Sequence, residues 1–265
     1  LPLLHGNDTP PSLTGYLKST MTVQQFAQNT VLPPLEDDKS HSMFQSQLRM
    51  RLFHEPSDIL SFEIAYAISP TAAKPSLITS QGFLNPRENT WRMYDLDEKL
   101  REDTPRDLSL LQNLDRCNIN FFFPSADLHL GRQAIAFGSG KFINPTDIFS
   151  PFLFQDLNKE HKTGVDALRL TIPTGDFNEI DLGVVFGKDG KMDNNAVFMR
   201  TRIYLFNTDF SLMVMDFKNN LMLGFDMTRS ISQAGFWLEA AHVFAGQLDS
   251  PNKDEDYFRL VSGFD

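Results

Sequence analysis

With 265 residues, a formal net charge of −10 and a single cysteine (Cys117), the chain excludes several classes at once. No run approaches the ~18 consecutive apolar residues of a membrane-crossing helix. The acidic balance argues against a nucleic-acid binder, which would carry a basic face, and one cysteine makes neither a disulfide framework nor a cysteine metal site.

Period-two alternation and bounding turns predict twelve strands. In chain order they are Leu13–Gln24, Met43–His54, Ile59–Ser69, Leu114–Phe123, Asp127–Phe137, Val165–Ile172, Glu179–Phe186, Val197–Phe206, Asp209–Phe217, Leu221–Thr228, Gly235–Phe244 and Tyr257–Phe264. The second and third show the pattern best. Phe44, Leu48, Met50 and Leu52 alternate with Gln45, Gln47, Arg49 and Arg51. After the break at Pro56–Ser57–Asp58, Leu60, Phe62, Ile64, Tyr66 and Ile68 alternate with Ser61, Glu63, Ala65 and Ala67. Successive side chains of a strand point to opposite faces, so this hairpin has one oily side and one wet side.

In the fourth segment Cys117 shares the apolar face with Ile119 and Phe121 and reads as a small hydrophobe. The fifth slips phase, since Leu128 and Leu130 are even but Ile135 and Phe137 are odd; a one-residue bulge near Gly131 would restore the outward face and turn Arg132 inward. Later strands keep the alternation, with Leu168, Leu170 and Ile172 opposite Arg169 and Thr171. The ninth leaves its face open, because Met213, Val214 and Met215 are contiguous. No segment carries a sustained helical stripe, and the best candidate for a short helix is Pro145–Leu157.

The connections alternate in length. Every even-numbered link is short, as at Glu55–Asp58, Pro124–Ala126 and Asn207–Thr208, whereas most odd-numbered links are longer, up to those of about 70–113 and 138–164. An up-and-down meander with tight turns at one end and long loops at the other is the layout of an outer-membrane barrel. Greek-key sandwiches put long crossovers at both ends, and small soluble barrels could not desolvate several guanidinium groups inside. The acidic runs Glu36–Asp37–Asp38 and Asp254–Glu255–Asp256 fall in loops and read as solvated surface. The chain opens at Leu1 without a basic-plus-apolar leader, so a signal peptide has been removed or lies outside it.

Three stretches carry a resemblance: Leu114–Asp115–Arg116, then Leu128–His129–Leu130–Gly131–Arg132–Gln133 through Phe137–Gly138, then Asn144–Pro145–Thr146–Asp147. Together with Gly164–Val165–Asp166–Ala167–Leu168–Arg169, they resemble a family of Gram-negative outer-membrane porin-like barrels related to the alginate-export proteins. Phe137 stands where that family usually has Trp, and family chains are usually longer. The resemblance implies a fold and a compartment, with this chain an N-terminal portion of the barrel.

The expectation is therefore an all-β, antiparallel up-and-down transmembrane β-barrel of about twelve strands, a single domain over residues 1–265, in the cell outer membrane. The wet face would line the pore with Arg49, Arg51, Glu63, Arg116, Arg132, Arg169, Asp181, Arg200 and Arg202. Such a guanidinium ladder would favour anions, or the arginines would pair with Glu63, Asp115, Asp166, Asp181, Asp226 and Glu239 and rigidify the wall. The Gly138–Gly164 loop, with Lys141, Asn144, Asp147 and the apolar Phe149, Phe152, Leu153 and Phe154, is the candidate constriction. His129, His242, Ser19 and Ser211 form no recognisable catalytic set, and Gly138–Ser139–Gly140–Lys141 lacks the phosphate-loop spacing. No catalytic residue, metal or cofactor is expected. The expected function is passive or weakly selective diffusion of small polar solutes, with anions as an extra to test; the alternative is a sleeve around a partner protein for export or electron transfer. Partners are outer-membrane lipids and the solutes, with no nucleic acid and a homo-oligomer left open.

Overall fold

A computed structural model of the chain describes residues 10–25, 40–74, 90–96, 108–141, 143–150, 161–247 and 255–264. They build one antiparallel sheet of β1 (Ser12–Gln25), β2 (Ser40–Ser57), β3 (Leu60–Lys74), β4 (Leu108–Phe123), β5 (Ala126–Gln133), β6 (Val165–Pro173), β7 (Glu179–Val185), β8 (Ala196–Leu205), β9 (Thr208–Phe217), β10 (Asn220–Ile231), β11 (Ala234–Phe244) and β12 (Tyr257–Phe264). Each strand pairs with its sequence neighbours, in the order β1 to β12. The predicted up-and-down fold is what forms, with β1 and β12 as the sheet's two edges.

Of the five two-residue links among the described residues, two have both residues at positive φ: Phe206–Asn207 after β8 and Lys218–Asn219 after β9. That geometry matches the right-handed twist of the flanking strands. The longer β7–β8 link folds into two short 3-10 turns, Lys188–Gly190 and Met192–Asn194.

The two faces separate as the alternation requires. Leu48, Met50, Ile64, Ile119, Leu168 (38% exposed), Val197, Leu212, Val214 (49%) and Leu223 stand exposed, while Arg49, Arg116 and Asp181 are buried. In β9 the contiguous apolar run resolves cleanly. Val214 joins the exposed apolar face, and Met213 and Met215 are buried against the interior.

Four local expectations are corrected. No register shift occurs at Gly131, where β5 keeps its pairing with both β4 and β6, so Arg132 is not turned inward: it stands opposite the exposed Cys117, on the Leu130 and Leu168 side of the ladder, covered there by segment 90–96. Gly131 instead bends the strand at a φ of 103°, and a Cβ there would lie 2.3 Å from the Cys117 carbonyl oxygen. The shift lies in β4, where Ala65 faces Arg116 and Tyr66 faces Leu114, leaving Asp115 as the extra residue. β5 ends at Gln133, and residues 134–138 leave the sheet, with Ile135 and Phe137 entering an interior cluster. Residues 145–150 form turns and bends rather than the start of a helix; 151–157 lie outside the described residues, as do Glu36–Asp37–Asp38 and Asp254.

The inner face is not polar throughout. Towards the end bearing the odd-numbered links, Trp91, Ile135, Phe137, Phe149, Val165, Val185, Phe198, Met213, Met215, Met222 and Val243 pack as one apolar cluster. Glycine makes room for one of its rings: Gly183 sits opposite Phe198 across β7–β8, where a Cβ would meet the ring at 2.3 Å.

Candidate functional site: a paired inner face and an inward loop

Each of the seven arginines read from the wet face has a carboxylate partner. Arg49 donates to Asp115 at 2.8 Å, and Arg116 lies 2.8 Å from the same carboxylate. The β4 bulge explains this convergence, because it breaks the strict alternation at two consecutive charged residues. Asp115 also accepts the Gly164 N–H at 3.1 Å, tying β4 to the start of β6. Arg51 donates to Glu63 at 2.6 Å across β2–β3. Arg169 grips Asp181 (0% exposed) at two points of 2.8 Å, and Arg200 reaches the same carboxylate at 3.3 Å. Arg202 approaches Glu179 at 3.5 Å and keeps 53% of its side chain exposed.

Arg132 is the most heavily engaged. It binds Asp166, its direct partner on β6, through Nε at 2.7 Å and a terminal nitrogen at 3.0 Å. It also reaches the carbonyl oxygens of Leu114 and Tyr94. A segment of the β3–β4 link, 90–96, is pinned over this pair. The Asp166 N–H donates to the Trp91 carbonyl, and the Met93 N–H to the Asp166 carboxylate. Arg92 donates to Gly164 and Asp95, and burial pushes its guanidinium below its ordinary pKa while Asp95 opposes the shift. Trp91 drops its ring into the apolar cluster, edge-on to Phe149, with the Lys218 ammonium 4.9 Å from its centroid.

The β5–β6 loop crosses the interior. The Ser139 N–H and hydroxyl both donate to Asp226 on β10, the former at 2.8 Å. The Thr146 N–H (2.8 Å), its hydroxyl (2.6 Å) and the Gly140 N–H (3.2 Å) all donate to Glu239 on β11. Ser139 lies six residues past the end of β5, and its loop runs as a chord across the inner side of β6 to β9. One apolar cluster joins Phe137 and Phe149 of the loop with Val165, Val185, Phe198, Met215, Met222 and Val243 of β6 to β11, so the sheet curls around the chord.

Within the loop, Lys141 is exposed, Asn144 is half-buried and Asp147 is buried. Lys162 donates to the Asp147 carboxylate at 2.7 Å and to the Ser150 carbonyl at 2.6 Å, stapling the two ends of 151–160 together. Burial raises the Asp147 pKa, with Lys162 and the Ser150 N–H pulling the other way. Phe149 is in the cluster, whereas Phe152, Leu153 and Phe154 lie outside the described residues. Among the described residues, no group of three His, Cys, Asp or Glu is placed to hold a metal ion. His129 bonds Asn120 through Nδ1, and His242 packs between Phe244 and Phe258.

Asp226 and Glu239 enter the sequence reading only as partners for arginine. Their signal was a wet-face carboxylate whose partners on the outer flanking strands, Ser211 for Asp226 and Val261 for Glu239, carry no positive charge. Trp91 and Arg92 carried no periodic signal, sitting in a long link.

The sequence matches no family model and no curated protein. Among solved structures, the chain is similar to Acinetobacter baumannii OccAB4 with a TM-score of 0.53 and 10% identity, over 98% of this chain and 65% of that one. OccAB1 of the same organism follows with a TM-score of 0.45 and 11% identity, over 88% and 52%. Pseudomonas aeruginosa OccD3 (OpdP) gives 0.45 and 9%, over 96% and 52%. The chain thus spans 52–65% of the length of these solved chains. The OccAB4 likeness establishes the shared up-and-down β-fold.

Proposed function

We propose that the chain forms the wall and inward loop of a porin-like channel in the outer membrane of a Gram-negative cell, passing small polar solutes by diffusion. The observation that carries this reading is the two-faced sheet. Exposed leucines, isoleucines, valines and methionines cover one side, and ion pairs with an inward loop occupy the other. A strand sheet crosses a bilayer only when its outward side chains suit lipid and its polar groups turn inward. The odd-numbered links then face the outside and the tight turns the periplasm. The interior chord takes space that a sleeve would need for its partner protein, which favours the channel over the sleeve.

The pore-lining set divides by exposure. Arg51 and Arg202 meet the water path, Arg49, Glu63, Arg116, Arg169, Asp181 and Arg200 brace the wall as buried or part-buried pairs, and Arg132 ties segment 90–96 to β6. Anion preference on this reading is modest and comes from the exposed guanidinium of Arg202. The narrower kinship with the alginate-export proteins rests on the Leu114–Asp115–Arg116 and Gly131–Arg132–Gln133 motifs, which supply the bulge and the Asp166 pair.

Planar-bilayer recording tests the reading. Discrete conductance steps are expected from the reconstituted protein, with Arg202→Gln shifting the reversal potential towards cations. Absence of conductance would remove the channel, and an unmoved reversal potential would remove the anion preference alone.

A further inference from the structure

We propose that Asp226 and Glu239 are a two-carboxylate latch that sets how far the channel is open, by holding the β5–β6 loop across the interior. This deepens the channel reading and rests on it. The two residues are direct partners across β10–β11, so they present acceptors side by side on one face. Like charges placed opposite each other in a sheet are unfavourable, and such a pair persists only where donors compensate. Here the donors come from the loop: the Ser139 N–H and hydroxyl for Asp226, and the Thr146 N–H and hydroxyl with the Gly140 N–H for Glu239. Glu239 is 0% exposed, so water does not replace those donors while the loop is in place.

The surroundings are shaped for this contact. A Cβ on Gly138 would lie 2.4 Å from both Glu239 carboxylate oxygens, and one on Gly224 would lie 2.9 Å from the Thr146 methyl. Gly138 also takes a φ of 86°, the left-handed region that favours glycine, at the point where the chain turns inward. Behind the latch, Phe137 and Phe149 pack in the apolar cluster, so the loop is clamped on a polar side and an oily side together. Releasing the two carboxylates leaves the loop held by that packing and by the Trp91 indole N–H on the Ile148 carbonyl, a weaker hold that lets it shift away from β10 and β11.

The test compares strand-side and loop-side variants in the same bilayer and in hydrogen exchange. Glu239→Gln and Asp226→Asn weaken the acceptors; Thr146→Val and Ser139→Ala remove the hydroxyl donors without touching the sheet. Both sets are expected to raise single-channel conductance by about twofold with more open-state noise, and to speed amide exchange in 138–150 about tenfold. If only the strand-side variants change conductance, wall charge is responsible and the latch is overturned. If exchange in 138–150 is unchanged in both sets, the latch is overturned whatever the currents do. A wild-type protein that conducts nothing, yet loosens at 138–150 in both sets, retains the loop clamp and loses the channel.

Discussion

Arg132 and Asp166 face each other across β5 and β6 and close a two-point ion pair, both side chains buried. The pair lies beneath the Tyr94 and Asp95 end of the β3–β4 link and beside the Leu114 carbonyl, so three parts of the chain meet on one guanidinium. Removing one partner of a buried pair leaves the other charge desolvated, at a cost of about 3–5 kcal/mol. Arg132→Gln should therefore lower stability by that amount in a urea titration of the detergent-folded protein. Arg132→Lys should recover less than half of it, because a single ammonium cannot reproduce the fork. A variant as stable as wild type would show that segment 90–96 is held by other contacts.

Cys117 offers a probe of which face meets lipid. It is exposed, stands opposite Ile64 and shares its face with Ile119. In proteoliposomes, a charged, water-soluble maleimide should not label it, because hydrocarbon keeps the thiol protonated and unreactive, whereas the denatured protein should be labelled readily. Labelling by the charged reagent at a comparable rate would place this face in water and end the membrane reading.

Gly183 is required by its neighbour across the ladder. The Phe198 ring occupies the space where a Cβ would stand, and Phe198 also packs on Phe137 at 5.0 Å between centroids. Gly183→Ala should destabilise the protein by about 1–3 kcal/mol through overpacking. Adding Phe198→Leu should return part of that loss, a coupling that a double-mutant thermal-melt series would read directly.

Asp147 gives the loop a pH dependence. Its pKa lies above the ordinary carboxylate value because burial outweighs Lys162. The folded state thus holds a proton that the unfolded state has released, over the window between the ordinary and the raised value. Stability from this group is full below the ordinary carboxylate range and is lost as pH rises through the raised value. Asp147→Asn should flatten that part of a melt-versus-pH curve. A slope that survives the substitution would assign it to another carboxylate.

How much of this was legible depends on which interactions leave a local trace. Alternation in Phe44–Leu52 and Leu60–Ile68 reflects side chains facing two different media, so the strands and their faces follow from the residues. The β4 bulge leaves no such trace: Asp115 and Arg116 look like ordinary alternation until Ala65 and Tyr66 reveal the skipped partner. Ala134–Phe137 misleads for the opposite reason. Ile135 and Phe137 keep a strand-like period, but the interior cluster, not a ladder, selects them. The loop-binding role of Glu239 depends on a contact with Thr146, 93 residues away, and no local pattern encodes it.

The chord within the curled sheet also orders assembly. Ser139 cannot meet Asp226 until the intervening strands β6 to β9 have formed and bent, since 87 residues separate the two. Contacts of such sequence separation close late, after shorter-range hairpins have supplied most of the folding free energy. The contacts that draw the segment after β5 inward, beside the buried Phe149, span far more sequence than the hairpins that frame them.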